Sequence, residues 1–405
     1  MILKKEEYFM SSIKILENIY WIGVNDKRNI LFEGLWPIPY GISYNSYIIK
    51  GSEKIALIDT VDKYYEKEFI SNIKEIVNPQ KIEYLILNHL EPDHSGSFEE
   101  ILRIAPKIKV IGSHLAINIA KKYYKEDFES IIIKDNDTLS LGDKTLKFIE
   151  APWLHWPETI FTYIIEDQIL FSGDAFGGFG ALNKGIFDEE IDMSFYEKEM
   201  KRYFANIVSH YSNFVIKAKE KINSLPIKIL CPAHGPIYKK NIEYPISKYL
   251  QWCLKDEDKV LIIYGSMYGH INEIVEYLER KLKEKKVKVI SYNLSYTHPS
   301  YILTDLIDCK IFLLGSPVYE ASIFPLIANM IELIKIKHIR PKAFGLLINF
   351  TWGESKVSEK IRKELQEIGM NFIEPCLLTK GKITEEDKKS ANILIENIIE
   401  KLQSL

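Results

Sequence analysis

Four side chains that commonly bind metal ions lie within six consecutive residues: His89, Glu91, Asp93 and His94. The apolar run 84–87 just before them predicts a buried strand, and a Gly/Ser turn follows them. In extended backbone, alternate side chains project to the same side, so we expect His89, Glu91 and Asp93 together and His94 elsewhere. Ligands that point in two directions favour two adjacent metal ions over one. The alternative is an ordinary polar surface loop.

Three more candidate ligands stand where apolar segments end. His155 lies between aromatic and proline residues, Asp174 follows the apolar run 169–171, and His234 follows the run 227–231. A single His or Asp beside a turn is more often structural. Four separate loops that each carry a metal-competent residue favour one shared site. The other five histidines have no such setting, and we expect them to be surface or core residues: His114, His210, His270, His298 and His338.

The composition is that of a globular protein with two domains, since 405 residues exceed one typical core. The net charge of −3 gives no indication of a nucleic-acid partner or of an anionic membrane surface. The four cysteines are scattered, which argues against a disulfide framework or a zinc ribbon. The N-terminus lacks the apolar region of a signal peptide, and no apolar run approaches the length of a membrane span. We therefore expect a cytoplasmic protein without a membrane partner.

The second half of the chain alternates predicted strands with predicted helices. Strands are expected at 260–264, 287–292, 311–314, 344–348 and 372–377, with helical patterns between them. This alternation predicts a doubly wound parallel sheet, in which ligands bind at the carboxyl ends of the strands. The domain boundary is expected between residues 254 and 255, which gives domains 1–254 and 255–405.

Three loops follow the predicted strands of the second half and could bind a cofactor. The first joins a strand to a helix N-terminus, a natural phosphate site, and its lack of Lys argues against a nucleotide-triphosphate loop. The other two supply aromatic side chains that could stack on a planar ring, although ordinary packing is the alternative for Tyr319 and Trp352. The set suits flavin mononucleotide (FMN), and its members are Ser266, Met267, Tyr268, Gly269, His270, Ile271, Asn272, Ser316, Pro317, Val318, Tyr319, Glu320, Asn349, Phe350, Thr351, Trp352 and Gly353.

The segment 89–94 resembles the His-x-His-x-Asp-His loop of the metallo-β-lactamase fold, with Glu91 at the position of the second His. Together with His155, Asp174, His234 and the second half, it is similar to the flavodiiron proteins over nearly the whole chain. The carboxylate makes the site richer in oxygen, which suits iron better than zinc. The resemblance implies a metallo-β-lactamase-like αββα sandwich followed by a flavodoxin-like doubly wound parallel sheet. It also implies two non-haem iron ions and one FMN.

The resemblance assigns the site residues to individual roles. It divides the seven ligands between two irons that share one carboxylate: His89, Glu91 and His155 for one iron, Asp93, His94 and His234 for the other, and Asp174 as the bridge. It also places Tyr203 near the diiron pocket, where a phenol could hydrogen-bond a bound diatomic molecule. The alternative for Tyr203 is an aromatic residue on the apolar face of a helix.

The family reduces dioxygen to water or nitric oxide to nitrous oxide. Two ferrous ions and a reduced flavin together hold the four electrons that dioxygen needs. The expected partners are an electron donor, such as a rubredoxin or a reduced deazaflavin, and a second copy of the chain. We expect a head-to-tail homodimer, or a dimer of dimers, with the flavin of one subunit beside the diiron site of the other.

Two other functions are alternatives to this interpretation. The first is a zinc-dependent hydrolase on the same fold, in which a zinc-bound hydroxide attacks an ester or thioester. Glu91 and the flavin-type loops argue against it. The second is a non-catalytic electron-transfer or binding module, and the complete ligand set argues against that.

Overall fold

The computed structural model describes residues 11–254, 256–339, 341–352 and 356–405. The candidate cofactor residue Gly353 lies outside the described residues. The chain divides into two compact units between Cys253 and Leu254. Among the described residues, no helix combines the length and the apolar character needed to cross a membrane.

The first unit contains two large sheets. One has seven strands in the spatial order Ile13–Leu16, Ile19–Trp21, Tyr47–Lys50, Ile55–Ile58, Tyr84–Ile86, Lys109–Ser113 and Ser130–Ile133. The other has five strands in the order Thr138–Ser140, Thr145–Glu150, Ile160–Ile164, Ile169–Phe171 and Ile229–Cys231. Two small antiparallel pairs lie beside them: Val24–Asp26 with Ile42–Tyr44, and Leu31–Phe32 with Trp36–Pro37.

The two large sheets bury their apolar faces in one common core. Tyr47 of the seven-stranded sheet contacts Phe171 of the five-stranded sheet, with ring centroids 4.9 Å apart. Ile49 and Phe148, also from different sheets, belong to the same cluster of fully buried side chains. Burial of apolar area from both sheets is the main force that holds such a sandwich together.

Helices accompany the sandwich along the chain. The helix Glu66–Ile76 buries Phe69, Ile70 and Ile73 and leaves its charged residues outside, which is the pattern of an amphipathic helix. The other α-helices of this unit are Pro92–Ser95, Phe98–Ile104, His114–Tyr124, Met193–Tyr203, Ser212–Ile222 and Glu243–Leu254. Shorter helical turns cover Lys63–Tyr65, Pro79–Lys81, Phe204–Val208 and Ser209–Tyr211. The expected αββα sandwich is confirmed.

The second unit is a parallel sheet with helices between its strands. The strands lie in the spatial order Lys288–Asn293, Glu257–Tyr264, Cys309–Tyr319, Ala343–Phe350 and Asn371–Phe372. The strand Leu377–Lys380 also pairs with Ala343–Phe350. The short strand Ser322–Ile323 pairs antiparallel with Cys309–Tyr319. In the described part of this unit the α-helices are His270–Glu284, Pro299–Leu306, Pro325–Ile336, Val357–Glu367 and Glu385–Ser404. This strand order is that of flavodoxin-like sheets, so the expected fold class is confirmed here as well.

Two strand boundaries of this unit differ from the prediction. The strand expected at 311–314 continues to Tyr319, and the one expected at 344–348 continues to Phe350. Residues 316–319 and 349–350 are therefore strand ends rather than loops. Both extensions are paired, Pro317 with Asn349 and Phe350 with Lys380, and this pairing holds polar and aromatic residues in extended backbone. The strand expected at 372–377 is divided into two shorter ones.

Candidate metal centre

The seven candidate ligands meet at one edge of the sandwich, where strands end. His89 follows Tyr84–Ile86, His155 lies between Thr145–Glu150 and Ile160–Ile164, Asp174 follows Ile169–Phe171, and His234 follows Ile229–Cys231. The last two of these strands are parallel neighbours, so Asp174 and His234 reach the same edge. A hydrogen bond of 3.0 Å from the amide of Ile160 to the Asn88 carbonyl links the ends of the two sheets.

The backbone of the central segment is not extended throughout, and this corrects one expectation. A short helix begins at Pro92, with Glu91 as its N-cap, and runs to Ser95. Proline suits the first helical position because its missing N–H would have no partner there. The helical turn rotates Asp93 away from His89 and Glu91 and places its carboxylate beside His94. Strand-type alternation was therefore the wrong geometry for Asp93.

The first group of ligands is His89, Glu91 and His155. The Nε2 atoms of His155 and His89 lie 2.8 Å and 3.3 Å from the same carboxylate oxygen, Oε2 of Glu91. Oδ2 of Asp174 lies 3.3 Å from Nε2 of His155 and 3.6 Å from Nε2 of His89. Two imidazoles and two carboxylates thus converge on one position.

The second group is Asp93, His94 and His234. Oδ2 of Asp93 lies 3.2 Å from Nε2 of His94 and 3.3 Å from Nε2 of His234. The other carboxylate oxygen of Asp174, Oδ1, lies 3.0 Å and 3.5 Å from the same two nitrogens. Asp174 therefore presents one oxygen to each group, which is the geometry of a carboxylate between two metal positions.

The polar atoms of this cluster lack the partners that buried polar atoms require. Both side-chain oxygens of Asp93 and of Asp174 are buried, and their close contacts are to Nε2 atoms of the candidate ligands, none of which has regular hydrogen-bond geometry. The Nε2 atoms of His94 and His234 face each other at 3.1 Å. Buried carboxylates without partners are costly, and bound cations remove that cost. The donor set fits two metal ions, and its mixture of nitrogen and oxygen atoms suits iron.

The electrostatics of the cluster are those of tightly coupled opposite charges. Burial alone would lower the pKa of His94, but the carboxylates of Asp93 and Asp174 raise it well above its usual value. Burial would raise the pKa of Asp174, but the imidazoles of His94 and His89 hold it well below the usual range. The same opposition raises the pKa of His155 to about 9. Protons therefore stabilise this cluster where metal ions would bind, so the two compete.

Residues that the sequence did not single out hold the ligands in place. The Glu158 carboxylate accepts a hydrogen bond of 3.0 Å from Nδ1 of His89, and the carbonyl of Ser43 accepts one of 2.7 Å from Nδ1 of His234. Asp59 accepts hydrogen bonds from the amides of Asn88 and His89. Glu158 lies three residues after His155. This closeness in sequence to a candidate ligand is the feature from which its place in the site could have been predicted.

An aromatic shell surrounds the second group. The ring of His234 contacts the rings of Phe32, Tyr44 and Tyr203, with centroids 5.7 Å, 5.9 Å and 5.4 Å away. The aromatic residues that flank His155 in the sequence are Trp153 and Trp156. Trp156 does pack edge-on against His89. Trp153, in contrast, is 42% exposed.

Tyr203 is the last residue of the helix Met193–Tyr203 and is fully buried. Its hydroxyl has no hydrogen-bond partner among the described residues. Burial raises the pKa of Tyr203 well above its usual value, and the negative charges of Asp174, Asp93 and Glu91 act in the same direction. The phenol is therefore neutral, with its proton available for donation beside the cluster.

A cavity of about 600 Å³ leads from the surface to the cluster. Its lining includes the ligands Glu91 and Asp93 together with Phe32 and Tyr44. The short strand Leu31–Phe32 also contributes Leu31, which is 39% exposed. A small molecule can therefore approach the oxygen ligands from the solvent.

The other five histidines take no part in the metal-competent groups found among the described residues. Three of them are exposed and two are partly buried. The exposed ones are His114, His210 and His338, and the partly buried ones are His270 and His298.

The first predicted cofactor loop leads into the helix His270–Glu284. Gly269 caps it with a φ of +90°, a conformation that glycine adopts without strain. Nδ1 of His270 and Oδ1 of Asn272 are buried without a hydrogen-bond partner among the described residues. Ile271 is buried in the core, so only its backbone is available to a ligand. Free N–H groups at a helix N-terminus, with the unpartnered Nδ1 of His270 beside them, fit an anionic group such as the phosphate of FMN.

The two other segments lie at the carboxyl ends of neighbouring strands. They carry the exposed side chains of Trp352 and Tyr319, at 67% and 43% exposure, and Tyr268 of the first loop is 87% exposed. Exposed aromatic rings at such an edge fit a planar ring system. The Asn349 side chain, in contrast, donates to Oγ1 of Thr379 and to the Gly381 carbonyl, so it fixes the strand end rather than facing a ligand.

Comparison with known proteins gives concordant matches. The model of a family described as ODP family beta lactamase matches residues 42–235. A nitric oxide reductase of Moorella thermoacetica is 32% identical over 87% of this chain and 88% of its own length. A flavo-diiron protein of Clostridium acetobutylicum is 32% identical over 94% of this chain and 97% of its own length.

A solved structure gives the same result for the fold. The rubredoxin oxygen:oxidoreductase of Desulfovibrio gigas superposes with a TM-score of 0.93 at 26% identity, over 97% of this chain and 99% of that one. None of these three relatives' names supports the hydrolase alternative. Sequence similarity over nearly the full length, the two-unit architecture and the carboxylate-bridged cluster agree with one another. The chain belongs to the flavodiiron protein family, a family of oxidoreductases.

Proposed function

We propose that this protein is a flavodiiron oxidoreductase that reduces dioxygen to water, with nitric oxide as a second substrate. The observation that carries the proposal is the position of Asp174, which presents one carboxylate oxygen to each of two ligand groups. We assign His89, Glu91 and His155 to one iron, and the second group to the other. When bound, two ferrous ions and a reduced FMN supply the four electrons that convert one dioxygen and four protons to two waters.

The ligand side chains perform three tasks in this proposal. The carboxylates of Glu91, Asp93 and Asp174 contribute three negative charges, which offset most of the charge of two divalent ions. The imidazoles bind through Nε2, the atom that faces the centre in all the contacts described above. The cavity reaches the two groups at Glu91 and Asp93, so a diatomic gas can approach from that side.

Tyr203 is proposed to donate a hydrogen bond to the substrate or to its reduced product. The support is its hydroxyl, which is buried beside His234 without a partner among the described residues. A phenol with a raised pKa stays protonated, so it can donate without adding charge. The surrounding rings of Phe32 and Tyr44 limit the entry of bulk water.

The second unit is proposed to bind FMN. The first loop, including Ser266, Met267 and Gly269, would hold the phosphate at the helix N-terminus. Tyr268, Trp352 and Tyr319 would flank the ring, with backbone groups of residues 316–320 and 349–351 beside it. Ring edges near exposed aromatic residues are accessible to an electron donor. We propose a rubredoxin or a reduced deazaflavin for this role.

We further propose a head-to-tail homodimer, or a dimer of dimers. In each unit, large apolar side chains are exposed at the proposed site. Leu31 lines the metal cavity and is 39% exposed, Ile30 and Leu35 are neighbours in sequence of its lining residues with 79% and 46% exposure, and Tyr268 is exposed at the flavin edge. Covering these two surfaces with each other in a second copy buries both and brings the electron source to the metal centre.

Gas electrodes decide the activity. The iron- and FMN-loaded protein is first reduced chemically, and dioxygen and nitric oxide consumption are then measured separately. We expect oxygen consumption to be the faster, with water and not hydrogen peroxide as its product. A nitric oxide rate well above the oxygen rate reverses the order of substrates. Protein that binds zinc in iron-replete medium and shows no flavin absorbance refutes the proposal.

A further inference from the structure

The two ligand groups contain the same types of side chain, but different residues surround them. Each offers two imidazoles and one carboxylate of its own and shares Asp174 with the other. The side chains of Glu91 and Asp93 are also similarly exposed, at 13% and 10%. A difference in metal affinity between the two positions must therefore come from the residues behind the ligands.

Among the contacts of the described residues, only the first group has an imidazole whose outer nitrogen is hydrogen-bonded to a carboxylate. Glu158 is 2% exposed, and its Oε1 accepts hydrogen bonds of 3.0 Å from Nδ1 of His89 and from the Leu90 amide. The hydroxyl of Ser113 donates to the Glu158 carbonyl at 2.9 Å and fixes its backbone. Since Nε2 of His89 faces the metal position, the ring hydrogen lies on Nδ1 and is donated to Glu158.

The imidazoles of the second group have weaker support. Nδ1 of His234 donates to a neutral acceptor, the carbonyl of Ser43. Nδ1 of His94 is buried and has no hydrogen-bond partner among the described residues. A carboxylate hydrogen-bonded to the outer nitrogen makes an imidazole a stronger ligand and fixes its orientation, and a neutral carbonyl does this less strongly.

We propose that Glu158 is a positioning residue that makes the position of His89, Glu91 and His155 the tighter of the two metal positions. The first ferrous ion added to the metal-free protein binds there, and a chelator removes it last. This inference rests on the two-metal site of the proposed function and adds an order of filling. Asp59 is another buried carboxylate and interacts electrostatically with His94 as well as with His89, but it accepts hydrogen bonds from backbone amides and not from an imidazole ring, so it supports the loop.

The charge balance acts in the same direction. The three ligand carboxylates leave one positive charge uncompensated when two ferrous ions are bound. A fourth buried carboxylate next to His89 offsets this charge, and it does so closest to the first position. Oε2 of Glu158 has no hydrogen-bond partner among the described residues, so the donors to this carboxylate are the two that reach Oε1, Nδ1 of His89 and the Leu90 amide.

Variants that each retain only one of the two metal positions test the proposal. His234→Ala retains the first position and His155→Ala retains the second. Ferrous dissociation constants are measured anaerobically by chelator competition in each background, with and without Glu158→Gln. Glutamine keeps the acceptor oxygen and removes the charge. We expect a loss of affinity of about tenfold or more in the His234→Ala background. In the His155→Ala background we expect Glu158→Gln to change the ferrous dissociation constant less than twofold.

A second measurement needs no variant of Glu158. Crystals of the wild-type protein loaded with one equivalent of ferrous ion are measured at the iron absorption edge. The anomalous peak is expected beside His89, and a peak beside His94 and His234 overturns the proposal. The proposal is also overturned if Glu158→Gln weakens ferrous binding equally in the His234→Ala and His155→Ala backgrounds, or in neither of them. Wild-type protein that binds no ferrous ion refutes the proposed function itself, whereas two equal positions refute only the order of filling.

A matched control separates this role from general stability. Glu199 is also a buried carboxylate, 5% exposed, but it pairs with Arg202 and not with a ligand. Glu199→Gln should leave both ferrous dissociation constants within twofold of wild type. If it weakens the first position as much as Glu158→Gln does, the effect is one of buried charge in general, and the specific role of Glu158 is refuted.

Discussion

Replacing Asp174 tests the arrangement of the whole centre, because this carboxylate alone contacts both ligand groups. Its oxygens lie 3.0 Å from Nε2 of His94 and 3.3 Å from Nε2 of His155. Asp174→Ala therefore removes one donor from each metal position. His234→Ala, the matched comparison, removes one donor from the second position only.

The electrostatic scale of the effect follows from Coulomb's law. Two doubly charged ions about 4 Å apart repel by about 17 kcal/mol at an effective dielectric constant of about 20. Each oxygen of a bridging carboxylate carries about half a negative charge and attracts an ion about 2 Å away by about 8 kcal/mol, so the two oxygens together offset about as much energy as the repulsion costs. Without Asp174, the second ion binds against repulsion that no shared ligand offsets.

Iron content per chain, measured after dialysis against a weak chelator, gives the result. We expect about two irons in the wild type, about one in His234→Ala and well below one in Asp174→Ala. Asp192→Ala serves as a carboxylate control, because Asp192 caps the helix Met193–Tyr203, and it should keep two. Asp174→Ala protein that keeps two irons, or more iron than His234→Ala, would refute the bridging role.

Three further outcomes are expected. The pKa of His155 is raised to about 9, above its unfolded value, so the stabilisation it brings is full below about pH 6.5 and is lost as the pH rises through 9. The melting temperature of the metal-free protein should fall over that range in calorimetry, and a flat profile would contradict this. Tyr203→Phe should keep its iron but reduce dioxygen more slowly at the oxygen electrode, and an unchanged rate leaves Tyr203 a packing role only. Gly269→Ala places a side chain at φ +90°, so it should cost about 1 kcal/mol of stability in urea unfolding and weaken FMN binding in a fluorescence titration. Unchanged FMN affinity would place the phosphate elsewhere.

The sequence by itself determined the fold class and the types of the ligands. Apolar runs that end at His89, Asp174 and His234 are local features, and burial alone makes them strands that end at one edge. The alternation of strands and helices in the second half likewise predicts a parallel sheet without knowledge of contacts. The resemblance of the segment 89–94 to a known loop added the division of ligands between two metals.

Only the tertiary structure decided how these side chains meet. A single helical turn at Pro92 places Asp93 beside His94, as the resemblance implied and strand alternation did not, because local pattern does not fix where a strand becomes a helix. Glu158 and Phe32 became part of the site through contacts across 69 residues or more of chain, to His89 and to His234. Such partners depend on how strand ends from two sheets align, and this alignment is set by the packing of the whole core.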